Sequence, residues 1–219
     1  MIRTILFDLD GTLLDTAPDL ANALNLLLTE QGHEALPYEK IRPVVSHGGR
    51  ALIELGFNID IDHPQFEALR TRLLDIYKAN IANDTTLFPG MERVLDHIES
   101  NNMLWGIVTN KPSWLTDPLL KTLGLFQRSA CVVSGDTTSN RKPHPEPMLY
   151  ACKQSNSNVE ECLYIGDAER DIQAGKQAGM LTMAALYGYI QEHDDVSLWG
   201  ADAIIDHPED ILRWLKDRQ

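Results

Sequence analysis

Short apolar runs alternate with helix-length segments along most of the chain. Six runs have the length and the abrupt polar ends that are typical of buried parallel strands. They lie at residues 5–7, 104–108, 131–133, 162–165, 181–186 and 203–205. Segments with apolar residues at helical spacing lie at 91–100, 112–123, 145–154, 168–178 and 208–216. This alternation predicts an α/β fold with a doubly wound, mainly parallel sheet of Rossmann-like type.

The stretch from residue 16 to about residue 82 has a different pattern. It predicts helices at 19–31, 38–45, 50–55 and 64–80, and it offers no convincing strand. The segment 87–90 contains Pro and Gly and fits a linker that returns the chain to the sheet. We therefore predict a core domain of residues 1–15 and 83–219, with an all-helical cap domain of residues 16–82 inserted over the strand ends.

Composition and charge indicate which binding partners and which cellular compartment to expect for the protein. The formal net charge of -13 over 219 residues argues against non-specific binding to nucleic acid or to an anionic membrane surface. No apolar run approaches the roughly 20 residues of a membrane span. The three scattered cysteines show neither a CxxC pair nor zinc-ligand spacing. We expect a cytoplasmic protein with reduced thiols, a monomer rather than a dimer.

Polar residues follow several of the predicted strands. These are Asp8 and Asp10 after the first run, Thr109, Asn110 and Lys111 after the second, Asp167 and Asp171 after the fourth, and Lys142 at the head of a helix. Because parallel strands end at the same edge of a sheet, and because ligands bind at that edge, we expect these groups to converge.

The convergent residue types favour phosphoryl transfer. Asp8, Asp10 and Asp167 would repel one another without a cation, and carboxylate oxygens are the ligands that Mg²⁺ prefers. A metal ion would join a carboxylate nucleophile to a phosphate oxygen and offset the developing charge.

Hydroxyl, backbone N–H and ammonium groups can hold the remaining phosphate oxygens. Thr109, Asn110 and Lys142 offer these groups. A small phosphorylated metabolite is therefore the expected partner. The local cations and the metal would have to reverse the negative field of the chain at this site.

Four motifs, in this order, resemble those of the haloacid dehalogenase superfamily. They are DLDGTLLD at 8–15, TNK at 109–111, KP at 142–143 and GDxxxD at 166–171. The similarity runs from residue 2 to about residue 215, and the helical insert resembles the cap of the phosphoglycolate phosphatase-like branch. The segments WGIVTNKP at 105–112 and WGAD at 199–202 are also similar to those of N-acetylmuramic acid 6-phosphate phosphatases.

The resemblance implies a role for each carboxylate. Asp8 would be the nucleophile that becomes an aspartyl-phosphate. Asp10 would be the general acid that protonates the leaving group and then the base that activates water. Asp8, the backbone carbonyl of Asp10 and Asp167 would bind Mg²⁺, and Asp171 would support Lys142 or a metal-bound water.

The resemblance also implies the remaining roles and the overall activity. Thr109 and Asn110 would hold the transferring phosphoryl group, and Lys142 would neutralise it while orienting Asp8. The expected activity is a magnesium-dependent phosphomonoesterase acting on 2-phosphoglycolate or N-acetylmuramic acid 6-phosphate. A sugar-phosphate mutase on the same scaffold and a non-catalytic phosphometabolite-binding protein are the alternatives.

Residues in and near the predicted cap leave more than one interpretation open. His47, Gly49 and Arg50 belong to a two-glycine segment before a helix, which favours an anion-binding nest. Arg50 would then bind a substrate carboxylate, although a helix–helix turn with a surface arginine fits almost as well. Asp15 is either a supporting residue of the site or a helix cap, and Lys111 is compatible with a solvated side chain.

Overall fold

The fold is described from a computed structural model, which defines residues 2–218. Its strands are β1 (Thr4–Phe7), β2 (Leu14–Asp15), β3 (Thr86–Leu87), β4 (Leu104–Val108), β5 (Val132–Val133), β6 (Cys162–Gly166), β7 (Leu181–Ala185) and β8 (Ala203–Ile205). Its α-helices are α1 (Ala17–Glu30), α2 (Tyr38–Ile41), α3 (Gly48–Phe57), α4 (Phe66–Ala79), α5 (Met91–Ser100), α6 (Ser113–Thr122), α7 (Glu146–Gln154), α8 (Glu169–Ala178) and α9 (Asp210–Lys216). Turns of 3₁₀ helix lie at Arg42–His47, Val159–Glu161 and Val196–Leu198.

Six strands form one sheet in the order β5-β4-β1-β6-β7-β8, and every neighbouring pair is parallel. This arrangement confirms the predicted fold class. Strand β1 lies at the centre, with Phe7 in register with Ile107 of β4 and Ile165 of β6. The chain extends the sheet first on the β4 side of β1 and later on the β6 side. The point where the strand order reverses, which is where such sheets bind ligands, is therefore at β1.

Both faces of the sheet are buried, which accounts for the uninterrupted apolar runs. Ile5 and Phe7 pack into the larger core cluster, which also contains residues of the helical insert. Leu6, which points to the opposite face, packs with Val108 and Tyr164 in a second cluster. This alternation follows from the two-residue period of a strand.

A two-stranded ribbon connects the helical insert to the rest of the chain. Strands β2 and β3 pair antiparallel, with Leu14 opposite Leu87. The sequence predicted only a linker at 87–90, because strands of two residues have no readable period. Asp19 of helix α1 links the two chain segments next to this ribbon. Its carboxylate accepts the Asp84 N–H at 3.0 Å and the Thr85 hydroxyl at 2.6 Å, just before β3. The domain division at residues 16–82 stays a prediction.

Most predicted helix bounds lie close to the observed ones, with one clear difference. The helix predicted at 38–45 ends at Ile41 and continues as the 3₁₀ turn Arg42–His47. Pro43 lies at the start of this turn and has no N–H to continue an α-helix. The turn matters for function because it carries the residues that contact the sheet edge.

The helices and the cysteines of the described residues can be compared with the expectations from composition. Across residues 2–218, every helix falls short of the length and apolar character that a bilayer crossing requires. The three cysteines are buried free thiols, and the Sγ atoms of Cys152 and Cys162 are 3.5 Å apart. Buried thiols of this kind pack as small apolar side chains.

Candidate active site

Polar residues that follow the central strands meet at one edge of the sheet. Asp8, Thr109 and Asp167 come directly after the last residues of β1, β4 and β6, which are neighbours. The backbone N–H of Asp8 donates to the carbonyl of Ile165 at 2.8 Å, so that the strand pairing extends to this residue. Because the strands are parallel, all three residues lie at the carboxyl edge.

Three buried carboxylates form a cluster at this edge. Oxygen atoms of Asp8, Asp167 and Asp171 all lie within 4.8 Å of one another. The carboxylate of Asp10 does not belong to this group; the sequence resemblance had assigned its backbone carbonyl to the metal. Asp171, which the resemblance assigns to support of Lys142 or of a metal-bound water, contributes the third carboxylate of the cluster.

The ammonium group of Lys142 lies between two members of the cluster. Its Nζ is 2.8 Å from Asp8 Oδ1 and 2.7 Å from Asp171 Oδ1. It also donates to the Tyr164 hydroxyl at 2.8 Å. The Lys142 side chain is 1% exposed, so water screens these ion pairs very little. One lysine compensates only part of the charge of three carboxylates.

Burial, together with the uncompensated charge, raises the pKa of two of the carboxyl groups. Burial, followed by the charge of Asp171, raises the pKa of Asp8 to about 7, although Lys142 opposes this shift. Burial and Asp171 likewise raise the pKa of Asp167 to about 6. The positive charge of Arg170 lowers both pKa values without reversing either shift. At neutral pH the cluster therefore favours a proton or a bound cation.

The donor set suits a hard divalent cation. All three members offer carboxylate oxygens, the ligand type that magnesium prefers. Gly11 keeps space beside them, because a Cβ atom at this residue would lie 2.1 Å from Asp167 Oδ2. A divalent cation would also offset the charge that raises the two pKa values. On these observations the residues present fit Mg²⁺.

Asp10 belongs to a second polar group. Its Oδ1 accepts the Thr16 hydroxyl at 2.6 Å and lies 2.9 Å from Lys111 Nζ. Lys111 is only 7% exposed, and its Nζ lies 4.5 Å from the centre of the Tyr77 ring. Burial acts to lower the pKa of Lys111, but the charges of Asp10 and Tyr77 and the hydrogen bond to Asp10 together outweigh burial, and the net shift is upward. Lys111 is therefore not a solvated side chain but a partner of Asp10.

Hydrogen bonds join the loops that carry the predicted phosphoryl-binding residues. Thr109 is buried, and its Oγ1 accepts the N–H of Lys111 at 3.1 Å. The Asn110 side chain makes two bonds of 3.0 Å with Lys142, donating to its carbonyl and accepting its N–H. The loop after β4 and the loop that carries Lys142 are thus one hydrogen-bonded unit.

The helical insert contacts the carboxylate cluster through the 3₁₀ turn Arg42–His47. The Ser46 hydroxyl donates to Asp167 Oδ2 at 2.7 Å, and the Ser46 carbonyl accepts from Arg170 at 2.6 Å. No pattern in the sequence predicts a role for Ser46 or Arg170. Arg170 lies inside the GDxxxD motif, and Ser46 directly precedes the His47–Arg50 segment. Their position next to these motifs is the one sign in the sequence that they belong to the site.

The predicted anion-binding segment of the insert lines a cavity between the insert and the strand edge. His47, Gly49 and Arg50 all line it. The Nε of Arg50 pairs with Glu54 Oε1 at 2.7 Å, and the Arg50 side chain is 61% exposed. The ring of His47 contacts the side chain of Gln191. The segment lies where the sequence placed it, with the Arg50 guanidinium bonded to its own helix.

Asp15 supports the cluster through an intermediate residue. Its Oδ1 accepts the hydroxyl of Tyr189 at 2.7 Å, and the Tyr189 N–H donates to Asp167 Oδ2 at 2.9 Å. Helix α1 has no side-chain hydrogen bond at its N-cap, so Asp15 is not a helix cap. Of the two interpretations left open by the sequence, the structure favours the supporting residue.

A cavity of about 580 Å³ lies between the strand edge and the helical insert. Asp8 and Asp10 line it together with Thr109 and Asn110. Its positively charged lining residues are Arg50, Arg70, Lys111, Arg141 and Arg170. The hydroxyl of Tyr77, also at its wall, is buried and makes no hydrogen bond within residues 2–218. The cavity is therefore rich in cations, although the chain has a net charge of -13.

Comparison with known proteins gives matches along nearly the whole chain. The family model described as haloacid dehalogenase-like hydrolase matches residues 5–185. An N-acetylmuramic acid 6-phosphate phosphatase from Pseudomonas putida is 44% identical over 212 residues, which cover 97% of this chain and 95% of that protein. A phosphoglycolate phosphatase from Xanthomonas campestris pv. campestris is 43% identical over 209 residues, covering 95% and 94%. The crystal structure of a predicted phosphoglycolate phosphatase from Haemophilus somnus 129PT has a TM-score of 0.85 at 25% identity and covers 98% of both chains.

Proposed function

The chain belongs to the haloacid dehalogenase-like hydrolase family, and on that premise we propose that it is a magnesium-dependent phosphomonoesterase that forms a phosphoryl intermediate on Asp8. One observation carries the proposal: Asp8, Asp167, Asp171 and Lys142 meet at the strand edge where such sheets bind ligands. The names of the two curated relatives support hydrolysis of a phosphomonoester.

The hydrogen bonds of Asp8 suit a nucleophile. Its Oδ1 accepts the Leu9 N–H at 2.7 Å and lies against Lys142 Nζ, which fixes the carboxylate plane. Within residues 2–218, no hydrogen bond reaches Oδ2. This oxygen would attack phosphorus, so that the bond from Oδ2 to phosphorus forms while the ester oxygen leaves with its electron pair. Bound magnesium would neutralise part of the charge on the phosphoryl oxygens.

Asp10 is proposed to transfer the protons. It would donate a proton to the leaving ester oxygen and then take one from the water that hydrolyses the phosphoryl-Asp8 bond. Thr16 and Lys111 both bind Oδ1 of Asp10 and orient the side chain. Thr109, Asn110 and Lys142 would hold the oxygens of the transferring group. The two hydrogen bonds between Asn110 and Lys142 support this role, because they keep the two loops together.

The proposed substrate is a small phosphomonoester that also carries a carboxylate. The relatives' names give two candidates, 2-phosphoglycolate and N-acetylmuramic acid 6-phosphate. Both are anions, and the cationic lining of the cavity supports binding of either.

Phosphate release tests the proposed function. We expect wild-type protein to release inorganic phosphate from p-nitrophenyl phosphate with Mg²⁺ and not with excess chelator. Asp8→Asn should abolish release, because the amide is a poor nucleophile, whereas the exposed-residue control Asp62→Asn should keep it. Wild-type rates that do not depend on Mg²⁺, or undiminished turnover by Asp8→Asn, would contradict the proposal.

A further inference from the structure

The cations of the cavity differ in what already binds them. Arg50 and Arg70 pair with glutamates of their own helices, at 2.7 and 2.9 Å. Lys111 pairs with Asp10 at 2.9 Å. Each of these three side chains therefore already has a carboxylate partner. The Lys111 pair is largely buried, whereas the Arg50 and Arg70 pairs are exposed and weaker, so Arg50 is included in the test below.

Arg170 is also occupied, although by different groups. It donates to the Ser46 carbonyl at 2.6 Å, and its charge acts on Asp8 and Asp167 of the cluster. Its position connects the cluster to the insert and does not leave it free for a distant group of the substrate. Arg141 is then the cavity cation that remains to be assigned.

Arg141 is an exposed residue next to the predicted phosphoryl-binding unit. Its Nε donates to the carbonyl of Gly135 at 2.7 Å, and the following residue, Lys142, is bonded to Asn110. The Gly135 loop packs closely on the same unit, because a Cβ atom at Gly135 would lie 2.2 Å from the Asn110 carbonyl oxygen. This packing places the Gly135 carbonyl, the partner of Arg141 Nε, beside the Asn110 loop at one wall of the cavity.

The guanidinium of Arg141 has no carboxylate within 4.0 Å among residues 2–218. Asp136 is nearby: burial opposes the shift, but the hydrogen bonds of Ser113 and, less strongly, the charge of Arg141 lower the pKa of Asp136. The two Asp136 oxygens accept the Ser113 N–H at 2.8 Å and the Ser113 hydroxyl at 2.9 Å. With Nε bonded to a carbonyl, the two terminal nitrogens of Arg141 are available. Paired N–H groups of this kind bind a carboxylate through two parallel hydrogen bonds.

The cavity volume indicates how large the substrate is. A water molecule, with one non-hydrogen atom, occupies about 30 Å³ in the liquid. At that generous value the roughly nine non-hydrogen atoms of 2-phosphoglycolate fill about 270 Å³. This is less than half of the cavity of about 580 Å³. At the same generous value a phosphorylated sugar that carries an acid, with roughly two dozen such atoms, takes about 720 Å³. This exceeds the cavity volume but is closer to it than the roughly 270 Å³ of 2-phosphoglycolate, so the cavity favours the larger substrate.

We propose that Arg141 binds the carboxylate of a sugar-sized phosphomonoester and so determines substrate specificity. The proposal rests on the phosphatase function above and deepens it: the reacting phosphate lies at Asp8, and the acid group of the same molecule lies at Arg141. Trp114 is 41% exposed at the cavity wall, with Lys78 Nζ 5.2 Å from its ring centre, and the rest of its indole surface would pack against the sugar.

A matched pair of substrates tests the role of Arg141. N-acetylmuramic acid 6-phosphate and N-acetylglucosamine 6-phosphate differ in the lactyl group that carries the carboxylate. We expect wild-type kcat/KM to favour the first, and Arg141→Ala to reduce that preference by about 10- to 100-fold, the range for a lost charge-assisted pair of hydrogen bonds. The loss should appear in KM. Arg93→Ala removes an exposed arginine of helix α5 that lies outside the cavity, and this variant should keep the preference.

Several outcomes would overturn the assignment. They are an equal loss on both substrates for Arg141→Ala, a loss of preference in Arg50→Ala instead, and a higher wild-type kcat/KM for 2-phosphoglycolate than for either sugar. Dissociation constants of the same two sugars, measured by calorimetry on the Asp8→Asn background, give the preference without turnover. If wild-type protein proves inactive, the phosphatase proposal fails, and these constants still decide whether Arg141 selects the carboxylate.

Discussion

Replacing Lys142 by methionine leaves two buried carboxylates without their ammonium partner. At an effective dielectric constant of about 20, each ion pair, at 2.8 and 2.7 Å, has a Coulomb energy of about 6 kcal/mol. Desolvation of the groups offsets much of this energy. Removal of one member of a buried pair costs about 3–5 kcal/mol. We therefore expect Lys142→Met to lower the free energy of unfolding by about 3–5 kcal/mol near pH 8.

The pH dependence of this loss follows from the carboxyl groups. The pKa of Asp8 is about 7 because burial and the charge of Asp171 raise it more than Lys142 lowers it, so the variant should have a still higher pKa there. In the variant, folded protein then holds protons that unfolded protein has released, and stability falls as pH rises. The loss should consequently be larger near pH 8 than near pH 5.

Urea unfolding of magnesium-free protein at the two pH values measures both effects. Lys121→Met is the matched control, because Lys121 Nζ lies 3.8 Å from Asp117 and its side chain is 59% exposed. An exposed pair of this kind contributes less than about 1 kcal/mol. If Lys142→Met stayed within about 1 kcal/mol of wild type near pH 8, or lost more stability near pH 5, the electrostatic reasoning would be refuted.

Three further predictions concern the same site. Gly11→Ala should destabilise the fold by about 1–3 kcal/mol in urea unfolding and weaken Mg²⁺ binding, because its Cβ would lie 2.1 Å from Asp167 Oδ2. Gly32→Ala, which has a similar φ of +78° but nothing within 4 Å, should cost less, and equal costs would contradict the steric argument. Mg²⁺ should raise the melting temperature more near pH 8 than near pH 5, because protons compete for carboxyl groups whose pKa values are about 7 and about 6; equal shifts would count against metal binding there. Lys111→Met should lower kcat/KM for p-nitrophenyl phosphate by about 10- to 100-fold through misplacement of Asp10, and an unchanged rate would argue against that orienting role.

The sheet and the meeting of its strand ends could be predicted from the sequence. Apolar runs locate strands, parallel strands share one edge, and the polar residue after each run is read directly from the chain. Asp8, Thr109 and Asp167 lie at that edge for this reason. The family, the fold class and the phosphatase class are confirmed, whereas the individual site roles stay proposals.

Contacts between the insert and the sheet could not be predicted in the same way. The bond from Ser46 to Asp167 joins residues 121 positions apart, and it depends on how the helices dock rather than on any local period. The ion pair of Lys111 with Asp10 likewise forms only when two loops that are distant in sequence meet. The sequence around Lys111 therefore gives no sign that its side chain is buried. The strands β2 and β3 were missed because a two-residue strand is too short to show alternation.

The account depends most directly on Asp8 as the residue that receives the phosphoryl group. Protein mixed with Mg²⁺ and a phosphomonoester can be quenched in acid within milliseconds and digested, and its peptides can be analysed by mass spectrometry. We expect the peptide that contains Asp8 to gain one phosphoryl group, which hydroxylamine removes, and we expect no such gain in Asp8→Asn. Release of phosphate without any phosphoryl group on Asp8, or with the group on another residue, would contradict the account.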